Sequence, residues 1–350
     1  MRLKLNLASS IITLTFIFAA CGSAQNAAST APIRDTTALL LLDKYAETQD
    51  KLLSYIVKYE QTMEQDYSGQ IVKQYELGEC RFDGTRCNFR QTQWGNISRS
   101  KGDIIPKEKA WYSSWLYDGK LSIKAGTTVV NGVRKLQTLI VPKPAKNTGR
   151  DMVTFLSTGL FMGYLEEGDN EERVDVTLRK AQSLTLHEKP ELINGSLCLV
   201  IEGVTSKGKY TLWLDPNHGY NIAKSVIDRG PGNAYRANQS PLRAGYRITT
   251  SIHDVRFEQI NGIWVPMELT MNYNQTHEVP KGYWKYQIHF KRMTITFNPD
   301  FTSAFIPDDI PNGCTLLVQN NTAHVLMGGN YTWKNGKPCD KKGNLLDFSE

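Results

Sequence analysis

The sequence predicts a mainly β protein (α+β), a large antiparallel sheet with one apolar face, joined by an N-terminal helix and a second short helix. Three observations carry that prediction. Seven Asn-Gly or Asp-Gly dipeptides punctuate the chain, beginning at Asp83, Asp118, Asn131, Asn194, Asn261, Asn312 and Asn335. Several sit between alternating apolar residues, the pattern of tight hairpins. The longest strand patterns are one-sided: Ile263, Val265, Met267, Leu269, Met271 and Tyr273 share one face, and Trp264, Glu268, Thr270 and Asn272 the other. Composition is globular, with 350 residues, 40% hydrophobic and 22% charged. That excludes wholesale disorder, collagen-like repetition and coiled coil.

The N-terminus comes first in order. Arg2 and Lys4 precede the apolar run Leu7–Ala20, so residues 1–20 read as a secretory signal peptide. The run is too short to span a membrane as a helix. Phe18-Ala19-Ala20-Cys21-Gly22 follows, and small residues directly before a Cys resemble the lipobox of bacterial lipoproteins. Phe18 departs from the aliphatic residue usual there. The resemblance implies that Cys21 is acylated as a lipid anchor and begins the mature chain. Gly22 in place of Asp resembles the sorting signal for the outer membrane, which implies a lipoprotein facing the periplasm. Cleavage after Ala24 is the alternative, and it gives a soluble periplasmic or secreted protein. Residues 21–35 then form a flexible tether rich in Ala, Ser, Thr and Asn. The formal charge of +6 falls to +4 without Arg2 and Lys4, too small an excess to imply nucleic acid.

Residues 36–310 form the expected sheet domain. Leu39, Leu42 and Ala46 mark an amphipathic helix from Thr36 to about residue 52, after which Tyr55, Val57 and Tyr59 alternate as a strand. Cys80 and Cys87 flank an Asp83-Gly84 turn. A two-residue loop there would place residue 82 opposite 85 and 80 opposite 87, which makes the two cysteines a candidate disulfide in an oxidising compartment. Residues 151–165 read as the second helix. Its Met152, Phe155, Leu156, Phe161 and Met162 suit either a close-packed core helix or an adaptable lid over an apolar cavity. Cys198, in the apolar strand Leu197–Ile201, reads as a buried free thiol. In residues 283–291, Trp284, Tyr286, Ile288 and Phe290 oppose Lys285, Gln287, His289 and Lys291. Residues 311–350 form a small C-terminal β segment, separate or an extension of the sheet, with Cys314 and Cys339 as its candidate disulfide.

A helix leading into Leu53–Tyr59-Glu60-Gln61 and a run of strands is similar to the LolA-like family, the bacterial lipoprotein-sorting carriers and relatives such as the envelope-stress regulator RseB. Two stretches support the likeness. Tyr210-Thr211-Leu212-Trp213-Leu214-Asp215-Pro216 with Ile222-Ala223-Lys224-Ser225 resembles the family's strand, turn and strand. Asn261-Gly262-Ile263-Trp264-Val265-Pro266 resembles its late strand. The resemblance implies a curved, half-open antiparallel β-barrel with helices on its concave face and an apolar cavity between them. No functional residue of the family maps onto this chain.

The chemistry is sparse. No G-x-S-x-G, H-E-x-x-H, P-loop or G-x-G-x-x-G occurs. The six histidines, at 187, 218, 253, 277, 289 and 324, have no metal-ligand spacing. Asp215-x-Asn217-x-Gly219 reads as a turn rather than a calcium loop. Asp83, Asp118, Asp254 and Glu268 are carboxylates that a glycosidase could pair if the fold brought them together. Trp94, Trp111, Trp115, Trp213, Trp264, Trp284 and Trp333 suit a β core, or stacking on sugars. The expected function is therefore that of a non-enzymatic envelope lipoprotein. It would bind membrane lipid or lipoprotein acyl chains as carrier or sensor, with no catalytic residue, metal or cofactor and no nucleic acid. The alternative is a secreted glycan-binding module or glycoside hydrolase.

Overall fold

Tight turns build most of the sheet. Asn194-Gly195, Asn261-Gly262 and Asn335-Gly336 each take left-handed φ at both residues (49° and 85°, 53° and 78°, 51° and 77°). This backbone twist matches that of the strands it joins. A computed structural model describes residues 33–52, 54–96, 104–130, 133–142, 163, 165, 172–234, 240–278, 281–319, 326–340 and 342–346. All belong to one unit, Pro32–Glu350.

The first strands are β1 (Ile33–Arg34), β2 (Tyr55–Tyr67), β3 (Gln70–Phe82), β4 (Cys87–Gly95), β5 (Trp111–Tyr117), β6 (Leu121–Val130) and β7 (Val133–Pro142). Next come β8 (Ser183–Leu186), β9 (Glu191–Ile193), β10 (Ser196–Thr205), β11 (Gly208–Asp215), β12 (Asn221–Arg229) and β13 (Tyr246–Ile260). The last are β14 (Ile263–Glu278), β15 (Lys281–Phe297), β16 (Thr315–Gln319), β17 (Leu326–Lys334) and β18 (Lys337–Asp340). Among the described residues two α-helices accompany them, α1 (Thr36–Asp50) and α2 (Val174–Arg179).

The ladders run β1–β8–β10–β11–β12–β13–β14–β15, with β9 also on β10. They continue β15–β2–β3–β4–β5–β6–β7–β16–β17–β18. Among the described residues no ladder returns from β18 to β1, so the sheet stays open. Its middle joins distant parts of the chain, with Tyr55 of β2 opposite Phe297 of β15 and Tyr67 opposite Trp284. Two ladders depart from the expected antiparallel order: β1–β8 and β7–β16 are parallel. The second makes the C-terminal segment an extension of the sheet edge.

The first predicted hairpin register is corrected by two residues. Phe82, not Cys80, stands opposite Cys87, and Cys80 faces Phe89. Asp83 is the cause. Its Oδ1 accepts from the N–H groups of Thr85 (3.0 Å) and Arg86 (2.6 Å), which holds a four-residue loop. Cys80 and Cys87 remain diagonal neighbours on one face, where burial and the nearby Cys80 thiol raise the Cys87 pKa. Neither expected disulfide is formed: Cys80, Cys87, Cys314 and Cys339 carry free thiols, as does Cys198.

Asp35 caps α1, its Oδ1 accepting from Thr37 N–H at 2.7 Å. The helix ends at Asp50 and buries Ala38, Leu41, Leu42 and Tyr45, a face rotated from the one centred on Leu39 and Ala46. The polar end of that face is satisfied by the sheet: Thr48 Oγ1 donates to Gly219 O (2.6 Å) and Gln49 Nε2 to Asn221 Oδ1 (2.9 Å). The short helix α2 was not foreseen. The helix predicted over 151–165 lies outside the described residues apart from Gly163 and Leu165, and Leu165 is buried against the same core.

One apolar cluster gathers both helices and inward residues of β2–β5, β8 and β10–β15, including Val57, Phe89, Tyr117, Ile201, Leu212, Ile252, Leu269 and Phe290. A single cluster can touch so many strands of one face only if the sheet curls around it. That face is concave. Its opposite side carries two smaller clusters, one around Leu116, Ile140, Phe305, Leu316 and Trp333 and one around Cys198, Val200, Trp213 and Ala223.

Candidate functional site: a cavity on the concave face

The described helices cover only part of the concave face. Helix α1 packs against α2, β8 and β12. Beyond that plug, a cavity of about 500 Å³ opens over β4–β7 and β16, within the roughly 300–1,000 Å³ typical of small-molecule sites. Cross-strand register explains its lining. Trp115 stands opposite Phe89 and Lys124, Lys124 opposite Leu139, and Leu139 opposite Leu317. These residues therefore form one row across five strands on the same pleat face. Gly126 and Gln137 continue the next row, opposite Ser113 and each other. The small side chains at Ser113, Gly126 and Thr128 leave the space that larger ones would fill.

One wall is aromatic and cationic. Lys124 Nζ lies 3.8 Å from the Trp115 ring centroid, a cation–π contact, while Trp115 Nε1 donates to the buried Ser122 Oγ at 2.8 Å. Burial lowers the Lys124 pKa. The other end is a buried polar network. Tyr59 donates its hydroxyl to Glu76 Oε1 (2.5 Å), and Gln93 Nε2 donates to Oε2 (2.7 Å). The Gln91 amide, turned to satisfy its neighbours, also donates to Glu76 and accepts from Ser113 Oγ at 3.0 Å. Burial raises the Glu76 pKa, opposed by the Tyr59 and Gln93 hydrogen bonds. Tyr59 stacks on Phe290 at 4.7 Å. It lies flat across its cross-strand partner Gly78, where a Cβ would stand 2.2 Å from the Tyr59 ring.

This arrangement can hold an apolar chain along Phe89, Trp115, Leu139 and Leu317, with a polar group near Gln91 and Ser113 or beside Lys124. Of the residues singled out from sequence, it contains Trp115 alone. Cys21 and the expected lid residues Met152, Phe155, Leu156, Phe161 and Met162 lie outside the described residues. Asp83 and Asp118 are turn caps, the latter accepting from Lys120 and Leu121 N–H at 2.8 Å each. Asp215 and Gly219 form the predicted turn, with Gly219 left-handed at φ 68°. The thiol of Cys198 is buried, which pushes its pKa up to about 12. No group of three metal-ligating side chains is present among the described residues.

No protein-family model matches the chain, and no curated protein matches it in sequence. Among solved structures it is similar to an outer-membrane lipoprotein-sorting protein domain from Vibrio parahaemolyticus. The identity is 11%, over 76% of this chain and 94% of that one, with TM-score 0.35. It is also similar to a DUF1329 family protein from Desulfovibrio piger (11%, over 80% and 99%, TM-score 0.37). A third is a chain of the Pseudomonas aeruginosa MucA/MucB complex (11%, over 75% and 100%, TM-score 0.23). The first of these carries in its name the lipoprotein-sorting family that the sequence resembles.

Proposed function

We propose that this protein is a non-enzymatic carrier or sensor of the bacterial envelope, holding an acyl chain of a lipid or lipoprotein in its concave cavity. One observation carries the reading: an apolar row of Phe89, Trp115, Leu139 and Leu317 lines a cavity that no described helix fills. Burying an acyl chain there gains about 0.8 kcal/mol per methylene, and Lys124 suits an anionic headgroup at the rim. The signal-like N-terminus and Cys21 support a location in the envelope, with an outer-membrane anchor facing the periplasm if Cys21 is acylated.

Native mass spectrometry with lipid extraction tests this on the mature protein lacking Cys21, purified from its own envelope. Without the anchor, any acyl mass is bound cargo. A stoichiometric lipid or acylated peptide that is lost in Leu139→Glu supports the proposal. A clean apo mass overturns it and makes the cavity a packing defect of the core.

A further inference from the structure

A cavity of about 740 Å³ lies on the convex side of β10–β15, across the sheet from the proposed acyl site. Its floor is Asp215, 2% exposed. Asp215 Oδ1 accepts from Ser196 Oγ (2.7 Å) and Asn217 N–H (2.9 Å), and His218 Nδ1 lies 2.6 Å from Oδ2. The His218 ring is held by Phe257, stacked at 4.8 Å, and by Trp264, edge-on at 4.6 Å. Across the cavity, Glu268 bridges His289 (3.1 Å) and Arg256 (3.5 Å). The third carboxylate is Asp254, 2.8 Å from His253.

Two features mark this as a built site. Thr270 lines the cavity at 8% exposure, and its hydroxyl makes no hydrogen bond to another described residue, which leaves it open to a ligand. Asp254 has φ 54° inside β13, where the register with β14 shifts between His253 and Arg256. The other non-glycine residues with left-handed φ among those described lie outside strands. Such strained bulges re-aim side chains at functional sites.

The chemistry selects the ligand. Three carboxylates repel phosphates and other anions, and they oppose an acyl chain. Each is already bridged by a histidine, so no bare acidic cluster awaits a cation. Remaining carboxylate lone pairs, His218 Nε2 and the Thr270 hydroxyl present many hydrogen-bonding positions beside an apolar strip of Ile193, Ala223 and Phe257. We infer that this convex pocket binds a neutral saccharide, its hydroxyls bridging Asp254, Glu268 and Thr270 and its C–H face on Phe257.

Isothermal titration of the mature chain with maltotriose, cellotriose and triacetylchitotriose tests the inference. At least one should bind, with affinity weakened about tenfold or more by Glu268→Gln and by Thr270→Val, and unchanged by Trp115→Ala on the other face. A cooperative thermal unfolding transition in each variant without saccharide shows that the variants fold. No heat with any of the three overturns the inference. So does a response to calcium alone, or binding indifferent to both substitutions. The acyl proposal survives each of these outcomes, because it rests on the opposite face.

Discussion

Replacing Tyr59 with Phe probes the buried end of the concave cavity. The hydroxyl donates to Glu76 at 2.5 Å, with Tyr59 1% and Glu76 6% exposed, so no water replaces it. A hydrogen bond to a charged acceptor is worth about 1.5–3 kcal/mol and one between neutral groups about 1 kcal/mol. The loss should therefore be about 2 kcal/mol with Glu76 ionised and about 1 kcal/mol with it protonated. The Glu76 pKa is raised in the folded state. Its contribution thus favours folding at acid pH and is lost as pH rises through the folded value. Tyr59→Phe removes a bond that holds that pKa down, so the variant's deficit must grow as pH rises from the ordinary carboxylate range. Urea unfolding of both proteins at pH 5 and pH 8 measures it, and Glu76→Gln should flatten the pH dependence. A deficit equal at both pH values, or larger at pH 5, refutes the assigned network.

Three further outcomes follow from the same geometry. Gly78→Ala should cost about 3 kcal/mol in urea unfolding, because its Cβ would stand 2.2 Å from the Tyr59 ring and neither strand can retreat. Pairing it with Tyr59→Ala should recover part of that loss. Asp254→Gly should stabilise the fold by about 0.5 kcal/mol, relief of the left-handed backbone outweighing added chain entropy, while weakening saccharide binding. A loss above about 1 kcal/mol would contradict that. Cys80 and Cys87, free thiols buried on adjacent strands with burial raising the Cys87 pKa, should resist modification in the native protein. Alkylation followed by mass measurement then finds both residues unmodified until the chain is unfolded.

Local pattern made the strands legible, while pairing across the sheet stayed hidden. The alternation from Ile263 to Tyr273 shows the face and the start of β14, which runs on to Glu278, and Asn261-Gly262 shows its hairpin, since both signals lie within a few residues. The same logic failed at Asp83, where a side chain bonding two backbone amides lengthened the loop and shifted the register. The parallel docking of β16 on β7 has no local signature at all. Both candidate sites share that difficulty. The concave cavity draws on β4–β7 and β16, and its Gln91, Ser113, Gly126 and Gln137 read as ordinary exposed positions, because a small or polar residue facing a cavity matches one facing solvent. Asp254 and Glu268 are legible as carboxylates, but only the β13–β14 register shows that they share a pocket. Thr270 offered no signal, since an unpartnered hydroxyl is visible only in three dimensions.

The pairing of β2 with β15 also governs how the chain acquires its shape. The hairpins from β2 to β7 can form early, but β2 keeps an unpaired edge until the residues near 297 are available. Contacts of such long sequence separation make folding slow, and an open edge meanwhile invites pairing with other chains. Under the export proposed above, this delay would be useful before translocation and hazardous after it. The late-arriving β15 acts as the closing stitch, and a helper that shields the β2 edge until then would raise the yield of native protein.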